Sequence, residues 1–343
     1  MANKTRDHGQ LKRGGGVTMA EVGRLAGVSQ VTVSRALSSP GKVSRETLER
    51  IQDAIARTGY VPNAVAGALA SNKSNLIAAL VPSVTNIVYS SVLHAFSEIM
   101  WDRGYQIMLS ETGFELEREE KAIATHLSRR PDAILLTGVR HSPAARRMLH
   151  NAGIPVVEIW DVSDTPVDCC VGFSHLEAGR AAADFAFGAG YAHAATITAG
   201  DERAVRRRNA FAGRFEQLTG TRVLPVDFSA PATLGLGREA LGQLLERQLP
   251  PGSVIFCSSD QFAQGALVEA SARGLSIPGD VAVIGFGDQE FAASTAPALT
   301  SVRIDRQVLG QTAANALLSR FAASPEPAMV HDIGFEIIRR QSA

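Results

Sequence analysis

The sequence is poor in cysteine and has no long apolar run. Its 343 residues include three cysteines, Cys169, Cys170 and Cys257, and an odd number at this spacing fits neither a disulfide framework nor a zinc site. Cys169 and Cys170 could form a redox or metal pair, but in an apolar run we expect core thiols. No stretch of about 18 apolar residues is present to span a membrane, and residues 1–16 lack the apolar segment of a signal peptide. These absences predict a cytoplasmic protein.

Catalytic and cofactor signatures are also missing. The eight histidines are scattered, and none stands at metal-ligand spacing from a cysteine or glutamate. The chain contains no G-x-S-x-G elbow, no phosphate-binding loop and no G-x-G-x-x-G after its first apolar run. Asp201 and Glu202 could form an acid/base pair, but adjacent side chains on a loop point apart, which favours surface charge. The sequence therefore predicts a protein that is not an enzyme and that has no metal or cofactor.

The net charge of the chain is zero, but the charged residues are unevenly distributed. Residues 1–73 carry 11 Lys and Arg against 5 Asp and Glu, whereas the remaining residues carry 23 against 29. A basic head on an acidic body predicts nucleic-acid binding by the head alone.

Two short helices are predicted within residues 17–37, VTMAEVGRLAGVSQVTVSRAL. Thr18 can cap the first helix, and Glu21, three residues later, completes a capping box. Residues 27–29 break this helix, and Ser29 can cap the second one. Two short helices joined by a three-residue turn form a helix-turn-helix, whose second helix enters the major groove of DNA.

Apolar spacing predicts which sides of these helices face inward. The inner residues are Val22, Leu25 and Ala26 on the first helix and Val28, Val33 and Leu37 around the second. The outer face of the second helix then carries Gln30, Val31, Thr32, Ser34 and Arg35. Amide, guanidinium and hydroxyl groups bind base edges and phosphates. The alternative is an ordinary helical hairpin with a polar face.

The residues T-M-A-E-V-G-R-L-A-G-V-S-x-x-T-V-S-R-A-L resemble the DNA-binding signature of the lactose-repressor (LacI-type) family of bacterial regulators. The resemblance implies a homodimer that binds double-stranded operator DNA, with one head on each half of a pseudo-palindrome. The residues expected to contact bases are Gln30, Val31 and Arg35. The residues expected to contact phosphates are Thr18, Ser29, Thr32 and Ser34.

A third helix and a linker follow. Ser44 can cap a helix that ends near Thr58, before Gly59. In residues 60–71, Asn63 can cap a short helix, but so short a helix should hardly form alone, so a flexible linker is the alternative. This stretch resembles the hinge helix of the family, in which a leucine at the place of Leu69 wedges into the minor groove. We expect a disordered tail at 1–16, the headpiece at 17–60 and the hinge at 61–73.

From Leu76 onward, apolar runs alternate with helical stretches. The expected strands are 76–82, 105–110, 132–137, 154–160, 193–198, 222–228, 252–258 and 280–286. Continuous Val, Ile and Leu runs between helices indicate parallel strands buried on both faces. The fold class is therefore α/β, with two doubly wound parallel-sheet subdomains that resemble periplasmic binding proteins. Within a domain at 74–343, the first subdomain is expected at about 74–173 and 304–331, and the second at about 174–303 and 332–343.

Ligand is expected in the cleft between these subdomains, at the carboxyl ends of the strands. The segments GYQIML, AGIPVVEIWD, VGFSHLEAGR and Asp201 to Arg203 resemble the gluconate-utilisation repressors of the family, which implies a sugar-acid effector. Arg207 stands where the family places a basic effector contact, and a guanidinium can bind a carboxylate through two hydrogen bonds. Gly287 replaces a family aspartate that binds sugar hydroxyls. The other expected contacts are Ser83, Asn86, Tyr89, Asp161, Phe173, Arg203, Ser259, Asp260 and Asp288.

Simpler roles remain open for several of these residues. Asn86 and Asp260 could cap helices, and the arginines could form a solvated helix surface. The overall hypothesis is a dimeric DNA-binding regulator that acts as a repressor. Its affinity for operator DNA is expected to change when a sugar acid such as gluconate closes the cleft. The alternatives are the same class of regulator with another metabolite, a sugar-modifying enzyme, for which machinery is lacking, and a transport solute-binding protein, for which a signal peptide is lacking.

Overall fold

A computed structural model describes residues 16–63, 67, 73–322 and 329–343. The chain divides into two compact units, Met1–Ser74 and Asn75–Ala343. The expectation of a tail at 1–16, apart from Gly16, and the wedge expected at Leu69 lie outside the described residues.

The first unit contains the three expected helices. They are α1 (Met19–Ala26), α2 (Gln30–Ser38) and α3 (Arg45–Thr58), with a short 3-10 turn at Pro40–Lys42 between the last two. Thr18 and Glu21 form the complete capping box of α1, and Ser29 and Ser44 accept backbone hydrogen bonds at the starts of α2 and α3. Gly27, at a φ of 67°, closes α1 in the left-handed conformation that glycine adopts without strain. The predicted helix boundaries and caps are confirmed.

The core of this unit corrects the predicted inner faces. Val22, Ala26 and Val33 are buried, and Val28 packs against them. Leu25 and Leu37, however, are 44% and 38% exposed. Small residues take their places: a Cβ on Gly23 would lie 2.8 Å from the Val28 carbonyl oxygen, and Ala36 is buried on α2. The helices therefore approach too closely for leucine at the contact.

The second unit contains two six-stranded sheets. Its elements in chain order are β1 (Leu76–Val81), α4 (Ile87–Asp102), β2 (Gln106–Glu111), α5 (Leu116–Leu127), β3 (Ala133–Thr137), α6 (Pro143–Ala152), β4 (Val156–Ile159), β5 (Cys169–Gly172), α7 (His175–Gly188), β6 (Ala194–Thr198), α8 (Glu202–Thr219), β7 (Leu224–Asp227), α9 (Leu234–Glu246), β8 (Ser253–Cys257), α10 (Asp260–Ala272), β9 (Val281–Phe286), a 3-10 turn (Glu290–Ala293), β10 (Thr300–Arg303), α11 (Arg306–Phe321), β11 (Met329–Asp332) and β12 (Glu336–Ile338). The sheet orders are β11-β5-β4-β3-β1-β2 and β12-β10-β9-β8-β6-β7. Every described strand pair is parallel except β10 with β12. The predicted fold class is confirmed.

Each sheet and its helices form one subdomain. In the first subdomain, α11 returns to pack on α4, β4 and β5. In the second, α7 packs on α8 and α9 packs on α10. The described chain crosses between the sheets after β5, after β10 and after β11. Multiple crossings of this kind can act as a hinge.

The sequence does not predict the short strand β5, which contains two of the three cysteines. Cys169 and Cys170 lie in this four-residue strand, and all three cysteines are buried and unbridged. Burial raises the pKa of the Cys169 thiol to about 12, so it remains protonated and unreactive. The expectation of core thiols is confirmed.

A buried ionic cluster lies in the first subdomain. His141 Nδ1 is 2.6 Å from Glu119 Oε1, and His141 Nε2 is 3.0 Å from Glu158 Oε1. Burial alone would lower the pKa of His141, but the hydrogen bonds and charges of the two glutamates raise it to about 9. The imidazolium therefore joins β4, α5 and the loop after β3.

None of the described helices is long and apolar enough to cross a membrane.

Candidate functional site

The outward face of α2 presents the side chains expected to read bases. Gln30, Ser34 and Arg35 are exposed, and Val31 is 66% exposed. An amide can bind adenine, a guanidinium can bind guanine, and an apolar side chain can contact the thymine methyl group. Because α2 contains no acidic residue, nothing on this helix opposes approach to a phosphate backbone.

The hydroxyls expected to contact phosphates belong to the helix starts. Ser29 Oγ lies 2.9 Å from Thr32 Oγ1 and also caps α2. Thr18 is held by Glu21 at the start of α1. Phosphate oxygens bind readily at such N-termini because backbone N–H groups point outward there.

Of the expected hinge, residues 61–63, 67 and 73 are described. The Gly67 N–H donates to the Asn63 carbonyl at 3.1 Å, which is the spacing of a first helical turn after Asn63.

A cavity of about 580 Å³ lies between the two subdomains. It sits beyond the carboxyl ends of β1, β4, β6, β8 and β9, where ligands bind in doubly wound folds. The first subdomain contributes mainly Ser83, Asn86, Tyr89, Phe114 and Trp160, and the second contributes mainly Asp201, Arg203, Arg207, Ser229, Thr233, Ser258, Ser259 and Phe286. The expected residues Ser83, Asn86, Tyr89, Arg203, Arg207 and Ser259 are thus brought together.

Four helix N-termini meet this cavity. The N-cap residues of α4, α8, α9 and α10 are Asn86, Asp201, Thr233 and Ser259, and all four line it. Each side chain accepts a backbone hydrogen bond from its own helix, at 2.9 to 3.3 Å. The alternative of a helix-cap role for Asn86 is confirmed. Because helix N-termini carry partial positive charge, their convergence favours an anion.

Arg207 is buried on α8, with 5% of its surface exposed. Its Nη1 donates to His175 Nδ1 at 2.8 Å and its Nη2 donates to the Ser258 carbonyl at 3.0 Å, while Nε has no partner. The guanidinium lies 3.8 Å from the centre of the Phe286 ring. Burial lowers the pKa of Arg207 to about 10, yet the group remains charged near neutral pH.

Arg203 lies one helical turn before Arg207 and is also buried. Its Nη2 donates to the Tyr89 hydroxyl at 3.2 Å, and its Nη1 has no hydrogen-bond partner. Among the described residues, no carboxylate forms an ion pair with Arg203 or Arg207. Two desolvated cations without an ion-pair partner form a strong anion site, although the charges of Asp201 and Asp161 act on Arg207 over a longer distance.

The neighbouring arginines differ from these two. Arg206 pairs with Asp161 and Glu202 at 3.0 and 2.8 Å, and Arg208 pairs with Asp227 at 3.5 Å. The description of a partly solvated basic surface therefore fits Arg206 and Arg208 but not Arg203 and Arg207.

Four other expected contacts do not line this cavity. Asp161 is buried against Arg206, beside a smaller adjoining cavity of about 110 Å³. Phe173 lies fully buried, with its ring centre 5.4 Å from that of Trp160. Both follow strands of the first sheet, and both are buried.

Asp260 and Asp288 also lie outside the cavity wall. Asp260 accepts hydrogen bonds from Ser301 Oγ and the Gln289 N–H, each at 2.6 Å. Ser259 caps α10, so the capping alternative for Asp260 is wrong as well. Asp288 is neutralised by Arg303 and Arg340, each at 2.7 Å. Both carboxylates therefore hold loops of the second subdomain together.

Several cavity residues were missed. Trp160 follows β4, Phe286 ends β9, and Thr233 caps α9. Their positions after predicted strands or before predicted helices were available signals. His175 is absent from the cavity wall but bonds to Arg207, and only its place after a crossing could have indicated this.

A helix-turn-helix followed by a two-subdomain body with a polar cleft defines a ligand-responsive DNA-binding protein. The family model "Bacterial regulatory proteins, lacI family" matches residues 18–63, and "Periplasmic binding protein-like domain" matches residues 183–343. The chain is 36% identical to the HTH-type transcriptional regulator GntR of Pseudomonas aeruginosa, over 98% of this chain and 99% of that protein. The chain therefore belongs to the LacI family of bacterial regulators, which are transcriptional regulators and not enzymes.

Solved structures of LacI-family regulators have the same fold as this chain. A LacI-family transcriptional regulator from Silicibacter pomeroyi has a TM-score of 0.89 and 34% identity, and the match covers 95% of this chain and 99% of that one. The lac repressor dimer bound to operator and an anti-inducer has a TM-score of 0.81 and 24% identity, with 96% and 99% covered, and shares the fold.

Proposed function

We propose that this LacI-family regulator represses transcription as a homodimer and that a small sugar acid such as gluconate controls its affinity for operator DNA. The pair Arg203 and Arg207 carries the proposal for the effector. Both guanidiniums are buried and face the cavity without a carboxylate partner among the described residues. A bound carboxylate would supply the missing charge and acceptors.

The cavity wall also carries the carboxylates of Glu111 and Asp201, so the case for a hydroxylated acid rests on the two buried arginines and on the hydroxyl groups that can donate. Thr233 and Ser259 use their oxygens to accept backbone hydrogen bonds, so each hydroxyl hydrogen is left to donate to an anionic oxygen. Ser83 and Asn86 stand opposite, on the first subdomain. The carboxylate of Asp288, which could have bound neutral sugar hydroxyls, is paired with arginines instead. The site therefore favours an anion over a neutral sugar.

The DNA contacts are proposed on α2. Gln30, Val31 and Arg35 would read bases, while Thr18, Ser29, Thr32, Ser34 and Asn63 would hold the backbone. Each good base contact discriminates by about 1–3 kcal/mol, so two heads are needed for useful specificity. In the lac repressor structure described above, a dimer occupies the operator, and we infer the same arrangement here.

Effector control would use the crossings between the subdomains. A ligand that bridges Asn86 and Arg207 makes different contacts in open and closed clefts, which is the requirement for shifting their populations. We infer that this shift alters the dimer and the hinge at residues 61–73. A coupling of about 1–3 kcal/mol is sufficient, which corresponds to about 5- to 150-fold in operator affinity.

The test compares D-gluconate with D-glucose, which lacks the carboxylate. Fluorescence anisotropy would measure binding to labelled promoter DNA from the chain's own genomic neighbourhood, with D-gluconate or D-glucose added. We expect D-gluconate to lower the affinity at least about fivefold and D-glucose to leave it unchanged. An equal response to both sugars would refute the anion site. A response only to another acid would retain the site and replace gluconate as the effector.

A further inference from the structure

His175 joins the proposed anion site to the opposite subdomain. It is the first residue of α7, immediately after the crossing from β5, and its side chain is fully buried. Its Nδ1 lies 2.8 Å from Arg207 Nη1, and its Nε2 lies 2.9 Å from the Trp160 carbonyl oxygen. A guanidinium can only donate and a carbonyl can only accept. His175 must therefore accept through Nδ1 and carry its hydrogen on Nε2.

The partner on the other side has a strained backbone. Trp160 has a φ of 76°, and a bulky side chain in the left-handed region is strained. Its N–H donates to the Val171 carbonyl at 3.1 Å, and its carbonyl accepts from His175. Its ring lines the cavity and contacts the Tyr89 ring, with centres 5.7 Å apart. His175 thus helps to hold a cavity wall in an unfavourable conformation.

The surroundings keep His175 neutral. Burial, followed by the positive charges of Arg207, Arg203 and Arg206, holds the pKa of His175 well below its usual range, although the Trp160 carbonyl acts in the opposite direction. A neutral imidazole with a fixed hydrogen is the only form that satisfies both neighbours. The bonds could otherwise not form together.

Close packing fixes the distance. Gly179 lies one turn after His175 on α7, and a Cβ there would collide with the Arg207 carbonyl oxygen. The absence of this side chain allows α7 to approach α8 at the turn that carries Arg207.

We propose that His175 is a positioning residue that couples the orientation of the Arg207 guanidinium to Trp160 in the first subdomain. This inference rests on the proposed anion site for its role in regulation. An anion that binds the Arg207 guanidinium would change its hydrogen bond to His175 Nδ1. The imidazole would transmit that change to the Trp160 carbonyl.

The main test needs no ligand. Trp160 becomes the only tryptophan after Trp101→Phe, and its emission and acrylamide quenching can then be measured. In this background, Arg207→Met should change both signals. When His175→Asn is already present, adding Arg207→Met should change neither signal relative to His175→Asn alone. Asparagine retains an oxygen near the position of Nδ1 but does not reach the Trp160 carbonyl. Arg208→Met is the matched control and should have no effect in either background.

Two results would overturn the inference. One is an equal Arg207→Met effect with and without His175, which would show that Arg207 acts on Trp160 directly. The other is no effect in either background. Nitrogen-15 spectra of labelled histidine provide a second test: the His175 resonance should show the Nε2–H form and remain unprotonated from about pH 8 down to about pH 6.5, where an ordinary imidazole is half protonated. The Nδ1–H form or a protonated ring in this range would also refute the assignment.

A ligand experiment separates this inference from the proposed function. With D-gluconate, calorimetry should give His175→Asn an affinity within about threefold of the unsubstituted chain, whereas release of promoter DNA should weaken at least about fivefold. The exposed His150 supplies the control His150→Asn, which should change neither quantity. If the unsubstituted chain does not bind D-gluconate, the proposed effector is wrong, and the fluorescence cycle still decides the role of His175.

Discussion

Replacing Arg207 with methionine should separate ligand binding from folding. The charged guanidinium is disfavoured by burial, which lowers the pKa of Arg207 from 12.5 to about 10. At about 1.36 kcal/mol for each pKa unit, this corresponds to roughly 3 kcal/mol against the folded state at neutral pH. Methionine has a similar reach and no charge, so the substitution removes this destabilisation.

The substitution also removes two hydrogen bonds, to His175 and to the Ser258 carbonyl. Bonds from a charged donor contribute about 1.5–3 kcal/mol each. The two effects oppose each other, so we expect the free energy of unfolding of the ligand-free chain to fall by no more than about 3 kcal/mol.

Effector binding should respond much more strongly. Removing one member of a buried, hydrogen-bonded charge pair costs about 2–5 kcal/mol of binding free energy, which is a loss of about 30- to 4,000-fold in affinity. Thermal-shift measurements with D-gluconate should therefore show no stabilisation of Arg207→Met, while calorimetry measures the residual affinity. Promoter binding in the absence of effector should be retained.

Arg208→Met is the matched control, because Arg208 is the next residue on α8 and pairs with Asp227. It should retain effector binding. Normal affinity in Arg207→Met would remove Arg207 from the site. A loss of stability above about 5 kcal/mol would instead show that Arg207 is mainly structural.

Three further results are expected. Arg35→Ala should abolish specific promoter binding in anisotropy titrations and leave effector affinity intact, since each lost base contact removes about 1–3 kcal/mol; unchanged DNA affinity would refute its role as a reader. Gly179→Ala should lower the free energy of unfolding by about 1–3 kcal/mol through overpacking, whereas Gly188→Ala, with open space around it, should not; equal denaturation midpoints would contradict the close contact of α7 and α8. The pKa of His141 is raised to about 9, so its protonated ring contributes to the free energy of unfolding fully below about pH 6.5, and this contribution is lost as the pH rises through about 9. Chemical denaturation should show this decline in the unsubstituted chain but not in His141→Phe. Parallel pH profiles would refute the buried imidazolium.

Much of the fold could be predicted because its signals are local. Caps such as Thr18 and Ser44 depend on a few neighbouring residues, and continuous apolar runs identify parallel strands buried on both faces. Strand β5 escaped because four residues are too few for a periodic pattern. Leu25 and Leu37 were placed wrongly because helix packing selected Gly23 and Ala36 for closeness, which hydrophobicity alone does not reveal.

The cavity could be predicted only in part. Position after a strand brought Arg203, Arg207 and Ser259 to the correct edge of the sheet, but it does not determine the direction of a side chain. Asp161 and Asp288 stand at equivalent places and turn to arginines that are distant in the sequence. Such pairings depend on the tertiary structure, and so did the bond from Arg207 to His175.

The meeting of the starts of α4, α8, α9 and α10 has a consequence for how this scaffold can diversify. Partial charges at these starts belong to the peptide backbone, so substituting a cap alters one hydrogen bond and leaves the dipole of the helix in place. A descendant of this chain could exchange Arg203, Phe114 or Trp160 and thereby accept a molecule of another shape. Reversing the preferred sign of that molecule would require rebuilding the helices themselves, so a switch to cations should be far rarer than a switch between acids.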